Sequence, residues 1–160
     1  MKTSRIFLFM IALSLFSCDS DSEKLNHEQI LRVLKDAKQT QTIGVSSFQL
    51  EACIWRDFMP ICPIDGKEMI SINWLVSTDS PIPDHINMVK QYVIYKGEIW
   101  EADYENESYP VHSNKLERIS RNGPKWDTGI YVTVVSQIYD SKTKTTYYVK
   151  CDNVIVGRTD

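Results

Sequence analysis

Four carboxylates at alternate positions form the first group whose spacing could carry chemistry. Glu101, Asp103, Glu105 and Glu107 would line one face of a strand that starts at Glu98. Paired carboxylates can hydrolyse glycosidic bonds, and converging carboxylates bind calcium. A calcium site needs oxygens that converge, whereas a flat strand presents these carboxylates in a row. The favoured interpretation is therefore that they form a solvent-exposed face of the strand. A hydrolase that uses Glu101, Asp103 or Glu105 is kept as an alternative.

The other residues that could support catalysis do not form a recognisable motif. His27, His85 and His112 lie in a helix start and in turn-rich segments, without a nucleophile motif beside them. The chain contains no GxSxG sequence and only six glycines, so a phosphate-binding loop is not expected. The cysteine and histidine spacings do not match those of a zinc site. We therefore predict a protein that is not an enzyme and that has no cofactor or metal.

Besides Cys18 the chain has three cysteines, an odd number: Cys53, Cys62 and Cys151. One pair could form a disulfide, and the sequence leaves open which pair that would be. The leading interpretation is small, mostly buried thiols.

Aromatic residues suggest a binding surface. Trp126 follows a predicted turn and lies near Arg121 and Lys125, so these three could form an exposed patch at one end of the domain. We predict binding residues Arg121, Lys125 and Trp126, on a contact surface that includes loops 79–87 and 104–126.

The chain is long enough for one domain. It has 160 residues, a formal charge of −3 and 42% hydrophobic residues, a globular composition. The mild acidity argues against a nucleic-acid binder, which would need a basic surface to hold phosphates.

The first residues read as an export signal. Lys2 and Arg5 precede the apolar run Ile6–Phe16, which would span about 16 Å as a helix, against about 30 Å for a bilayer core. The run ends in Leu15-Phe16-Ser17-Cys18, which resembles the lipobox of bacterial lipoproteins. That resemblance implies cleavage before Cys18, lipid attachment to Cys18, and anchoring to a membrane.

The sequence predicts four segments: a lipoprotein signal peptide at 1–17, a lipidated tether at 18–25, an amphipathic helix at 26–40 and a β-sandwich domain at 46–160. Asn26 and Gln29 occupy the positions of a helix capping box. Ile30, Leu31 and Leu34 recur at helical spacing.

From Ser46 onward apolar and polar residues alternate, which is typical of strands with one buried face. Lys96-Gly97 between two such runs predicts a hairpin. We predict a mainly β fold with six to seven strands in an antiparallel sandwich, immunoglobulin-like or transthyretin-like. A barrel would read nearly the same. The alternating runs involve Phe48–Ile54, Ile70–Val76, Val89–Tyr95, Glu98–Tyr104, Ile130–Ile138, Thr145–Cys151 and Asn153–Val156.

The stretch Trp126–Val134 resembles a late strand of an immunoglobulin-like sandwich. In that fold a tyrosine near the strand start bonds back to the backbone, and Tyr131 is the candidate.

Together these features predict a lipid-anchored protein of the bacterial cell envelope, in the outer membrane, with its leaflet left open. It would act as a non-enzymatic binding or accessory module for an envelope protein or glycan. A spacer without a ligand is the third possibility. The oligomeric state is left open.

Overall fold

The computed structural model describes residues 27–105 and 114–160. The predicted signal peptide and tether, Cys18, Glu107 and His112 lie outside these residues. The described residues form one helix and eight strands: α1 His27–Lys35, β1 Thr40–Ile43, β2 Ser46–Asp57, β3 Met69–Ser77, β4 Ile86–Tyr95, β5 Glu98–Asp103, β6 Lys115–Gly123, β7 Tyr131–Asp140 and β8 Thr145–Thr159.

The strands form one curled sheet, a half-barrel, in the order β5-β4-β7-β8-β2-β3-β6, with β1 paired to β2. The mainly β prediction is confirmed. The sheet runs without a break through β8, so a sandwich of two separate sheets is not confirmed. The β2–β8 pair is parallel, whereas the other strand pairs are antiparallel.

The curl brings the two edges of the sheet together. The amide of Glu105, just beyond β5, donates to the carbonyl of Ile119 on β6 at 2.9 Å, and Ser120 Oγ donates to the Asp103 carbonyl at 3.1 Å. Gly123 allows this approach, because a Cβ there would lie 2.7 Å from the Trp100 ring. The sheet therefore encloses an interior.

The helix and the central hairpin are confirmed. Helix α1 ends at Lys35 rather than near residue 40, because the chain there already enters β1. Its buried Leu34 packs against Tyr92, Ile94 and Val135 on the outside of the sheet. Lys96 and Gly97 have φ of 49° and 90°, the two positive values of a tight hairpin turn.

The strand count is eight rather than six or seven, since β1 and β6 were not expected. β6 occupies a segment predicted to be a loop, because its apolar residues Leu116 and Ile119 are three apart and break the alternation. β8 is one long strand where two were expected. Tyr131 is 64% exposed at the start of β7, unlike a packed corner tyrosine.

β3 is buried on the face that its sequence marks as polar. Met69, Ser71, Asn73, Leu75 and Ser77 are all buried, while the alternate residues Ile70 to Val76 are half-buried. The more apolar face of this strand thus points outward, and a polar set of side chains points into the interior.

Candidate functional site: a polar cluster inside the half-barrel

Four strands and the residue that follows β5 bring polar side chains, most of them buried, together inside the sheet. Directly paired residues on neighbouring strands share a face, and Ser71 pairs with Ser120 while Gln91 pairs with Ser136. The members of this set, which we call the interior cluster, are Ser71, Asn73, Gln91, Tyr104, Arg118, Ser120 and Ser136. Ser71, Asn73, Gln91 and Ser136 are completely buried. Buried polar groups are costly unless they are hydrogen-bonded, so such a set needs an explanation.

Asn73 and Gln91 lie at the centre of the interior cluster. Asn73 Nδ2 donates to Gln91 Oε1 at 2.6 Å and to Ser71 Oγ at 3.1 Å. Asn73 Oδ1 and Gln91 Nε2 then have no partner among the described residues, and Ser77 Oγ is a third such atom. Rotating both amides by 180° would only exchange which oxygen and which nitrogen are unpaired. The pair therefore always presents one free acceptor and one free donor.

Tyr104 is the aromatic member of the interior cluster and is buried with Asn73 and Gln91. Its hydroxyl donates to Ser136 Oγ at 3.1 Å. Burial raises the pKa of Tyr104 well above its ordinary value, so the side chain is neutral at physiological pH. The ring and hydroxyl of Tyr104 together supply an apolar surface with a fixed polar end.

Arg118 brings a positive charge to the interior cluster. It lies opposite Asn73 in the β3–β6 ladder and so faces the same side. Its guanidinium donates to Asn87 Oδ1 at 2.8 Å and to the Glu117 carbonyl at 2.8 Å, and within the described residues no carboxylate forms an ion pair with it. Burial lowers the pKa of Arg118, the direction expected for a partly desolvated cation. The site therefore favours a negatively charged partner.

The side chains of the interior cluster limit the chemistry that it can do. The cluster holds amides, hydroxyls and one guanidinium, and none of its members is a general base of ordinary strength. In the described ranges no group of three or more histidine, cysteine or acidic side chains could hold a metal ion. The chemistry available is hydrogen bonding and charge recognition.

The residues predicted to form a patch are each matched with an acidic side chain. Arg121 on β6 pairs with Glu105, and Lys125 Nζ lies 2.8 Å from Asp65 Oδ2. Trp126 is half-buried, contacts Tyr95 in a tilted arrangement with ring centroids 5.5 Å apart, and donates its indole N–H to Glu98 Oε2 at 3.0 Å.

Lys125 and Trp126 are held together, since the carbonyls of both accept from Arg56, whereas Arg121 lies apart beside β5. Their binding role stays a prediction.

Two carboxylates of the alternating row, Glu101 and Asp103, also lie beside a lysine. Glu101 and Asp103 share Lys90, and Lys90 Nζ lies 3.6 Å from Asp103 Oδ1. Both acids are exposed on the outer face of β5. Glu101 and Asp103 thus form a charged outer surface, as the favoured interpretation expected, whereas Glu105 is half-buried beside Arg121 and Glu107 lies outside the described residues.

Cys53, Cys62 and Cys151 are free thiols. Cys53 is exposed, so the expectation of mostly buried thiols is wrong for this residue, because it lies on the outer face of β2. Burial raises the pKa of Cys151, which makes its thiol less reactive.

Sequence reasoning missed the interior cluster because alternation does not say which face turns inward. One signal was present: Met69 and Leu75 share their face with Ser71 and Asn73, so that face is not purely polar.

Comparisons of the chain with protein-family models, with curated proteins and with solved structures found no match. Within residues 27–105 and 114–160, no helix has the length and apolar character needed to span a membrane.

Proposed function

We propose that this chain is a lipid-anchored protein of the bacterial envelope whose β domain binds a small polar organic molecule inside the half-barrel. The observation that carries the proposal is the Asn73–Gln91 pair, whose unpaired acceptor and donor are completely buried, so that binding requires the surrounding side chains to move apart. An unpaired buried polar atom costs about 1–3 kcal/mol, and a bound molecule would recover that cost. The protein acts as a binding module rather than as an enzyme.

The groups of the interior cluster define the class of ligand. Gln91 Nε2 and the Arg118 guanidinium are donors, so the ligand must offer them an acceptor. The positive charge of Arg118 favours a carboxylate as that acceptor. Asn73 Oδ1 is an acceptor, so the ligand must also carry a donor such as an amine or a hydroxyl group. Trp100 and Tyr104 add apolar surface. The ligand is a small organic carboxylate that also carries a hydrogen-bond donor.

Thermal denaturation against a panel of amino acids, hydroxy acids and neutral sugars tests this function. We expect a carboxylate to raise the melting temperature, since a ligand at a hundred times its Kd stabilises a protein by about 2.7 kcal/mol. Arg118→Met should weaken binding by about tenfold or more, because a charge-assisted hydrogen bond is lost.

Arg158→Met is the control for this panel, since it removes an exposed arginine whose partner is Asp160. It should leave binding unchanged. A panel without any stabilising carboxylate, together with native mass spectra that show no co-purified molecule, would refute the ligand site. Equal losses in both arginine variants would refute the assignment to Arg118.

The membrane anchor is supported by the resemblance of Leu15–Cys18 to a lipobox. Intact-mass spectrometry of protein from bacterial membranes should show a chain that begins at acylated Cys18. The Cys18→Ser variant should lack the acyl mass and leave the membrane fraction, because more than one acyl chain is needed for durable anchoring. An unacylated wild-type protein would mean that the lipobox is accidental.

A further inference from the structure

The loop between β2 and β3 carries an exposed apolar tip. Met59, Ile61 and Ile64 are 52%, 104% and 104% exposed, within the sequence Met59-Pro60-Ile61-Cys62-Pro63-Ile64. These three side chains, which we call the apolar tip, account for three of the seven large hydrophobic residues that are exposed in the described part of the chain. A local concentration of exposed apolar side chains marks an interaction surface.

The backbone at Ile61 is also unusual for its residue type. Its φ is 87°, a left-handed conformation that β-branched residues rarely adopt. A polar residue such as asparagine or aspartate would fit this position with less strain and better solvation. Folding alone therefore does not account for an isoleucine here.

The apolar tip lies at the end of the half-barrel where the described chain begins. β2 and β8 are parallel and both end there, as does β4, whose turn to β5 contains Gly97. His27, the first described residue, has its Nε2 3.1 Å from the Gly97 carbonyl oxygen. Arg56 links the loops at this end, since it donates to the carbonyls of Lys67 and Trp126.

The tether is short. His27 is nine residues after Cys18, which is about 30 Å at full extension. A lipid on Cys18 would therefore keep this end of the domain close to the membrane, and the apolar tip with it.

Three cations near the apolar tip are each paired with an acid. Lys67 pairs with Asp57 at 3.0 Å, Lys125 with Asp65 at 2.8 Å and Arg158 with Asp160 at 2.5 Å. These matched pairs provide no excess charge for an acidic or basic protein partner. An apolar tip within a neutral rim suits the boundary between lipid headgroups and acyl chains.

We propose that Met59, Ile61 and Ile64 insert into the membrane surface and hold the anchored domain in one orientation. This inference rests on the proposed lipidation of Cys18. Asn87, which bonds Arg118, is near the start of β4 and so lies toward the opposite end. The insertion would thus turn that end of the half-barrel away from the membrane.

Cys62 within the loop provides a natural probe. The full-length acylated protein is inserted into preformed vesicles of phosphatidylethanolamine and phosphatidylglycerol and treated with a membrane-impermeant maleimide. Peptide mass spectra then give the modification rate of Cys62 relative to the exposed Cys53. We expect this ratio to be at least about fivefold lower than in an Ile61→Asp/Ile64→Asp variant, whose tip cannot insert, and to be the same at low and high salt.

Val45→Asp is the control for added charge. Val45 is 97% exposed in the turn before β2, at the other end of that strand, and should match wild type. The two aspartates would themselves slow the Cys62 thiol, which works against the expected difference and makes it a conservative measure.

The outcomes separate the two proposals. An acylated wild-type chain whose Cys62 reacts as fast as in the double variant overturns the insertion and leaves the anchor standing. A chain without an acyl group on Cys18 overturns both. Protection of Cys62 that appears without vesicles and rises with protein concentration also overturns insertion, and assigns the apolar tip to a second copy of this chain.

Discussion

Replacing Asn73 by leucine and Gln91 by methionine in one variant should raise the free energy of unfolding by about 1–3 kcal/mol and abolish ligand binding. Both substitutions keep the approximate side-chain shape and remove the two unpaired polar atoms. Replacing both partners of a buried polar pair by apolar groups is often neutral or stabilising. Urea denaturation measures the first effect, and the carboxylate panel measures the second.

The single Asn73→Leu variant is the control for this result. It removes the Asn73 Nδ2 donor from Gln91 Oε1, so both polar ends of the buried Gln91 amide are then unpaired, and it should lower the free energy of unfolding by about 1–3 kcal/mol. A double variant as unstable as this single variant would contradict the interpretation. It would mean that the amide pair is part of the structural core, satisfied by a buried water rather than by a ligand.

Replacing Arg56 by methionine should lower the free energy of unfolding by about 3–5 kcal/mol. The Arg56 side chain is only 5% exposed and donates to the carbonyl oxygens of Asp65, Lys67, Lys125 and Trp126. Methionine fills much of the space but donates nothing, so these carbonyls lose their partner. Urea denaturation of both proteins at neutral pH measures the change.

Two further variants show whether the geometry of the Arg56 guanidinium matters. Arg56→Lys should recover little stability, because one ammonium cannot reach four carbonyls in fixed directions. Arg158→Met removes an exposed arginine whose guanidinium lies 3.8 Å from the centroid of the Phe58 ring. That loss should be about 1 kcal/mol or less. Equal losses for the Arg56 and Arg158 variants would contradict the role given to Arg56.

Arg56 bears on both the proposed membrane insertion and the proposed ligand binding. It fixes the loop that carries the apolar tip to the loop that carries Trp126, at the end of the sheet nearest His27. The interior cluster lies deeper in the half-barrel. A rigid connection at the end proposed to face the membrane would let an inserted loop set the orientation of the whole half-barrel.

Several features followed from the sequence alone, because they depend on neighbours along the chain. The apolar spacing of Ile30, Leu31 and Leu34 predicted a helix, and the structure confirms it. Lys96-Gly97 predicted a hairpin, because few residue pairs accept positive φ twice in succession. Strict alternation in Phe48–Ile54 predicted both a strand and its buried face. The expected lipid site at Cys18 is likewise a local motif.

Only the tertiary structure decided which face of each strand is enclosed. Ser71 and Asn73 alternate with isoleucine and tryptophan, and a period of two fixes the faces without saying which one turns inward. The curl of the sheet turns the polar face of β3 toward Gln91 and Tyr104, which are distant in sequence. β6 escaped prediction because its apolar residues break the alternation. The interior cluster therefore exists only through contacts between strands, and local sequence pattern does not encode those contacts.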